Sequence, residues 1–348
     1  MNIGVIGAGN IAMMHLRAIG TVPEATAVGV YDLDSGKAQE TADRFGCRAF
    51  ASPAELYRNV DAVIVASPNH THADYAEEAL RNGKHVLCEK PMTTTVAEAE
   101  RVTRLAEASG LVCAMGFNYR FLDVIQEIGL LIDRGDLGPV LFAEVSLKRG
   151  SALTRTHFTW RDSDLGRSTS GSLGDLGVHL IDMLHHLLKS PVDSDTCRVK
   201  LKINVPQKEG REVKVDDYAF VSGNLENGVG FNLITSKSSP PDELGFSLSI
   251  IGSDKELSYH SSDGSVYYLK SRVAWEQGTF ERGEHLADPP GEIVGWGDTF
   301  HHQMREWTHA VTHGRSKGPL AGFGDGMRTQ HVLNRLLSNE QQPALIGR

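Results

Sequence analysis

The sequence predicts an α/β protein in two parts. A doubly wound parallel sheet is expected over residues 1–118, and an α+β part with a large open, mainly antiparallel sheet over 119–348. Two observations carry this expectation. Short apolar runs alternate with amphipathic segments up to about Phe117, the signature of βαβ crossovers. Beyond that point alternation at period two takes over. A chain of 348 residues is also too long for one ordinary core.

Taken in order, "NIGVIG" predicts a strand and "NIAMMHLRAIG" a helix ending near Gly20. "ATAVGVYD" is a second strand, and "SGKAQETADRFG" a second helix closed by Gly46. "DAVIVAS" is a buried strand, and "THADYAEEALRNG" a helix with Thr71 as N-cap and Gly83 just past its end. "HVLCEK", the helix "TVAEAERVTRLAEASG" and the strand "LVCAMGF" complete the first part. In the second part, "FLDVIQEIGLLIDRG" is a helix and "VLFAEVSLKRG" a strand, and a helical segment runs from about Asp175 to Leu188. Strand-like runs follow from Thr196 to about Leu269. In "FSLSII", Phe246, Leu248 and Ile250 share one face. Helices near Thr299–His313 and Phe323–Ser338 close the chain.

A net charge of -9 argues against a nucleic-acid or anionic-membrane partner. No apolar run reaches the roughly 20 residues of a membrane span, and the first residues lack the pattern of an export signal. The four cysteines are scattered without a CxxC pair, and the histidines show no metal-ligand spacing. A cytoplasmic location with reduced thiols and no metal is the expectation.

"VIGAGNIA" sets Gly7, Gly9 and Ala12 in a GxGxxA pattern where the first strand meets the first helix. Gly7 permits the tight turn, Gly9 lets a pyrophosphate approach the backbone, and Ala12 allows close packing. The helix start then offers N–H groups to the anion. Asp32 ends the second strand about 20 residues further on, where a carboxylate can bind both ribose hydroxyls and repel a 2′-phosphate. The residues after it, Leu33, Asp34 and Ser35, include no arginine. NAD is therefore expected over NADP.

In such sheets ligands sit at the carboxyl ends of the strands. Ser67, Pro68, Asn69 and His72 follow one strand, and Glu89 and Lys90 another, with Pro91 turning Lys90 out of helical geometry. A lysine there can hydrogen-bond a substrate hydroxyl. In "SGSLGDLGVHLIDM", Asp175 and His179 stand four apart on a predicted helix, so a carboxylate can orient an acid/base imidazole. Asp182 could do the same, whereas His185 and His186 suit a helix surface.

In this order and spacing, "VIGAGNIA", "ASPNHTH", "CEKP" and "LGDLGVHLIDM" resemble the glucose–fructose oxidoreductase / inositol dehydrogenase / rhizopine-catabolism (Gfo/Idh/MocA) family, through essentially the whole chain. The resemblance implies a Rossmann domain followed by an α/β domain whose open sheet makes dimer or tetramer contacts. It implies a catalytic trio of Lys90, Asp175 and His179, with His179 as acid/base. It also implies dinucleotide contacts from Gly7, Gly9, Asn10, Ile11, Asp32, Leu33, Ser67, Pro68, Asn69, His72, Glu89 and Lys90, joined by Trp160 and Arg161 of "TWRDSDLGRSTSGSLGD". Where many members carry a glycine triplet, this chain has Ser170, Gly171 and Ser172.

The implied activity is NAD-dependent, reversible oxidation of a secondary ring hydroxyl in a sugar, inositol or sugar derivative. The same fold also serves NADPH-dependent keto-sugar reductases, glycosidases that recycle bound NAD, and a non-catalytic NAD-sensing regulator. The last need not present Lys90, Asp175 and His179 together.

Overall fold

The computed structural model describes residues 1–166, 169–271, 273–289 and 292–339. Arg167 and Ser168 of the segment quoted above lie outside them. The chain forms two compact units: residues 1–122, 283–288 and 295–330, and residues 123–282, 289–294 and 331–348.

In the first unit, the alternation produces β1 (Asn2–Ile6), α1 (Asn10–Ile19), β2 (Thr26–Tyr31), α2 (Ser35–Phe45), β3 (Arg48–Ala49), α3 (Pro53–Tyr57), β4 (Ala62–Val65), α4 (His72–Arg81), β5 (His85–Cys88), α5 (Val96–Ser109) and β6 (Cys113–Met115). The sheet order is β3-β2-β1-β4-β5-β6, with every pairing parallel. The order reverses between β1 and β4, which makes that crevice the ligand end of a doubly wound sheet. All four residues of β4 are buried, as a strand covered on both faces requires.

Local chemistry sets the helix starts. The Asp34 carboxylate caps α2 by accepting from the Gly36 and Lys37 N–H groups, and Thr95 and Glu98 form a reciprocal capping box on α5. Thr71 precedes α4 but makes no side-chain cap. A single turn over Asn69–Thr71 already bends the chain there, and the Thr71 hydroxyl donates back to the Pro68 carbonyl at 2.7 Å instead.

The second unit comprises α6 (Asp123–Asp133), β7 (Val140–Lys148), α7 (Ser151–Thr154), α8 (Val178–Leu188), β8 (Val192–Lys202), the ribbon β9 (Gln207–Lys208) and β10 (Arg211–Glu212), β11 (Tyr218–Leu225), β12 (Gly230–Ser236), β13 (Gly245–Gly252), β14 (Glu256–His260), β15 (Val266–Lys270) and β16 (Trp275–Thr279). Eight strands form one sheet ordered β16-β15-β14-β13-β7-β12-β11-β8. It is antiparallel except where β12 pairs parallel with β7. The expected face is present: Phe246, Leu248 and Ile250 are buried with Val145, Leu147 and Leu257. Helices α6 and α8 pack together and α8 lies against β7.

Two helices follow, α9 (Trp296–His313) and α10 (Phe323–Asn339). Helix α9 packs on α1, burying Phe300, Met304 and Trp307 in one core with Ile3, Val5, Leu16 and Ile64. It begins at Trp296, three residues before the expected start, because two glycines (Gly295 and Gly297) hide the first turn from a propensity reading. No helix among the described residues is long and apolar enough to cross a membrane.

Candidate active site

In the first unit the β1–α1 turn is built for an anion. Gly7 has φ 104°, and a Cβ added there would lie 2.5 Å from the Ala66 carbonyl oxygen, so only glycine fits. Gly9 caps α1 with no side-chain hydrogen bond and no acid in the first turn, and nothing lies within 4 Å of where its Cβ would be. The uncapped N–H groups of α1 thus keep their dipole for a phosphate. Ala12 is fully buried; Asn10 is exposed and Ile11 half-buried.

Asp32 is anchored from both sides. The Ala8 N–H donates to Oδ2 at 2.8 Å and the Asp34 N–H to Oδ1 at 2.9 Å. A carboxylate has about four acceptor positions, so each oxygen keeps capacity for a ribose hydroxyl. Leu33 beside it is 80% exposed, an apolar surface at the end of β2. These residues fit a dinucleotide: a glycine cradle, free helix N–H groups and a fixed carboxylate.

The loops after β4 and β5 are tied to one another. Buried His72 places Nδ1 2.9 Å from the Pro91 carbonyl and Nε2 2.9 Å from the Ser67 carbonyl. Burial pushes its pKa down despite those carbonyls. A neutral ring has one N–H, so it donates to one of the two carbonyls while lying between the loops rather than facing open space. Ser67 hydrogen-bonds the Thr71 hydroxyl at 2.6 Å, Pro68 is exposed and Asn69 half-buried. Glu89 is also buried, with Oε1 2.8 Å from His15 Nε2 and the carboxylate beside the Lys90 N–H. Burial alone would raise the Glu89 pKa, but the bond to His15 and the charge of Lys90 hold it below the ordinary value. Lys90 itself is half-buried, and its peptide bond to Pro91 is cis.

In the second unit, Leu173–Gly177 form a single π turn that leads into α8, a feature frequent at functional sites. Asp175 lies in this turn, half-buried, with Oδ2 2.7 Å from Lys237 Nζ. Lys237 also donates to the Ser170 carbonyl at 2.8 Å. His179 and Asp182 are buried on α8. His185, expected on the surface, is half-buried and accepts the Val192 N–H at 3.0 Å; His186 is half-buried as well.

The Ser-Gly-Ser loop is fitted closely around Asp216. Ser170 and Ser172 bury their side chains, so those two positions need no glycine. Gly171 does: an added Cβ would lie 1.8 Å from Asp216 Oδ1. Asp216 in turn accepts the Leu173 N–H at 2.9 Å, which fixes the π turn.

Asp175 faces a cavity of about 210 Å³, walled by four cationic and four carboxylate side chains. Within it Asp162 is clasped by Arg155 at 2.6 Å and Lys208 at 3.1 Å. Burial would raise the Asp162 pKa, but the Thr159 N–H and these cations bring it below the ordinary value. Arg161, exposed at the rim, stacks over Trp160 at 4.9 Å. Lys237, Asp216 and His15 were not among the expected site residues. None stands in a motif, and only tertiary contact reveals them.

A glycine-rich turn, a fixed acid after β2 and a parallel sheet with its switch point beside them define a dinucleotide-dependent oxidoreductase. Comparison with known proteins agrees: residues 1–117 match the model of an "Oxidoreductase family, NAD-binding Rossmann fold", and residues 130–342 match that family's "C-terminal alpha/beta domain". The chain belongs to the Gfo/Idh/MocA oxidoreductase family, and NAD is favoured over NADP as its cofactor. It is 40% identical over 338 residues to glucose-6-phosphate 3-dehydrogenase of Bacillus subtilis (strain 168), covering 97% of this chain and 96% of the relative. It is 27% identical over 329 residues to inositol 2-dehydrogenase of Rhizobium meliloti (strain 1021), covering 93% and 92%. Among solved structures, levoglucosan dehydrogenase in complex with NADH and levoglucosan superposes with a TM-score of 0.87 at 22% identity, over 98% of this chain and 97% of that one.

Proposed function

We propose that the protein oxidises a secondary ring hydroxyl of a sugar, inositol or sugar derivative to the ketone. The observation that carries this reading is the likeness over nearly the full length to sugar and inositol dehydrogenases, and the polar cavity beside Asp175 accords with it. The cavity's four cationic and four carboxylate side chains offer donors and acceptors to hydroxyl groups, which donate and accept at once. Similarity to glucose-6-phosphate 3-dehydrogenase over nearly the full length supports it and makes a hexose 6-phosphate the first substrate to try.

Gly7, Gly9, Asn10, Ile11, Asp32 and Leu33 would hold NAD, with further contacts from Ser67, Pro68, Asn69, Glu89, Lys90, Trp160 and Arg161. His72 would act by holding the loops. When bound, NAD supplies the hydride acceptor. In the second unit the His179 imidazole would take the hydroxyl proton and Asp175, steadied by Lys237, would fix the substrate or the imidazole; in the first unit the Lys90 ammonium would serve as a hydrogen-bond donor. The test is NADH formation with glucose 6-phosphate, glucose, myo-inositol and levoglucosan. Turnover with one of them and a ketone product support the reading; NADH from none of these or related polyols contradicts it.

The expected assembly is a homodimer or homotetramer through the sheet of the second unit. Opposite its buried face, Phe142, Phe220 and Ile234 are half-buried and Ile251 and Trp275 exposed, an apolar patch suited to a partner copy. Light scattering that finds only monomer would contradict this.

A further inference from the structure

His285, on the segment preceding α9, and His301 and His302 on α9 bring one ligand nitrogen each to within 4.8 Å of one another. The His285 and His301 rings stack with centroids 4.0 Å apart, and the His301 and His302 centroids lie 5.4 Å apart. We propose that these three histidines form a binding site for a divalent transition metal ion such as zinc, holding the 283–288 segment to α9.

Two features prepare the cluster for a metal. The Thr21 hydroxyl donates to the Ala18 carbonyl at 2.7 Å, and a hydroxyl has one proton to give. The 2.7 Å contact between Thr21 Oγ1 and His301 Nδ1 must therefore use a proton on Nδ1. This fixes the tautomer in which Nε2 carries its lone pair, the arrangement found when a second group orients a metal-bound imidazole. The second feature is Asp298, buried in the first turn of α9. Its carboxylate accepts the His285 and Leu286 N–H groups, so it fixes the backbone that carries His285 against the helix that carries the other two.

The ligand set suits the metal. Imidazole nitrogen serves zinc, nickel and copper alike, and three protein ligands leave a position for water. Zinc–nitrogen bonds of about 2.1 Å in a tetrahedron set ligand nitrogens roughly 3.4 Å apart, so the rings must close by up to about 1.4 Å. His285 is exposed, which leaves an entry path and freedom for that movement. No Cys or His spacing announces such a site, because one ligand lies on a different segment from the other two.

The full chain, without a polyhistidine tag, is stripped with a chelator, equilibrated with zinc, dialysed and assayed for bound metal. About one equivalent is expected, together with a raised melting temperature. His285→Ala and His302→Ala should abolish both while circular dichroism stays native. His313→Ala, elsewhere on α9, should leave both unchanged. Thr21→Val removes the tautomer lock together with the bond to the Ala18 carbonyl and should weaken zinc binding about 10–100-fold. Wild type retaining no more zinc than the His285→Ala variant, or zinc uptake undiminished by both histidine substitutions, would overturn the proposal.

Discussion

Lys237 Nζ lies 2.7 Å from Asp175 Oδ2, so the acid of the second unit's π turn is held by a lysine from the end of β12. Lys237 belongs to no motif, yet it fixes the residue on which the cavity turns. Lys237→Met should lower kcat/KM for the sugar about 10–100-fold with little change in NAD affinity, since the glycine turn and Asp32 proposed to hold most of the dinucleotide belong to the first unit. Fluorescence titration of NAD alongside steady-state kinetics checks both halves. Equal losses in sugar turnover and NAD affinity would assign Lys237 a different task.

Asp32, proposed to hold the ribose, should govern the choice of dinucleotide. Replacing it by serine keeps a small polar group and removes the charge that repels a 2′-phosphate. The preference for NAD over NADP, measured as a ratio of kcat/KM values, should fall by at least about tenfold, equivalent to about 1.4 kcal/mol. A preference left intact would mean that other groups set it.

The pairing of Glu89 with His15 predicts acid sensitivity of known sign. The Glu89 pKa in the fold lies below its ordinary value of 4.5, so the unfolded chain binds the proton more readily. The stabilisation is present above that ordinary value and is lost as the pH falls through the folded one. Glu89→Gln should flatten that part of the stability–pH curve, as followed by urea denaturation from neutrality into acid.

Gly171 is required for clearance rather than for a special backbone angle. A methyl there meets Asp216 Oδ1 at 1.8 Å, so Gly171→Ala should destabilise the second unit by about 1–3 kcal/mol. It should also loosen the π turn that carries Asp175. Ser172→Gly, at a position that already carries a side chain, should be milder.

Much of this was readable from residue order. Alternating β4-like and α4-like segments gave the parallel sheet, because buried parallel strands are continuous apolar runs and their crossover helices have one apolar stripe. The Gly7–Gly9 turn and Asp32 were readable because a close pyrophosphate demands particular residues at fixed spacing. The tasks of His72 and Glu89 were not: both look like cleft residues in sequence, and only burial shows them bonded to Pro91, Ser67 and His15. Nor does the sequence say that Phe300, Met304 and Trp307 complete the core of the first unit, because an apolar stripe does not name its partner. Lys237 and the His285 cluster depend on segments distant in sequence, beyond the reach of any local pattern.

His179 is the proposed acid/base, and kcat of a variant lacking its imidazole tests that most directly. His179→Ala should cost about 10²–10⁴-fold, with NAD binding retained. Near-normal turnover without the imidazole would contradict the account.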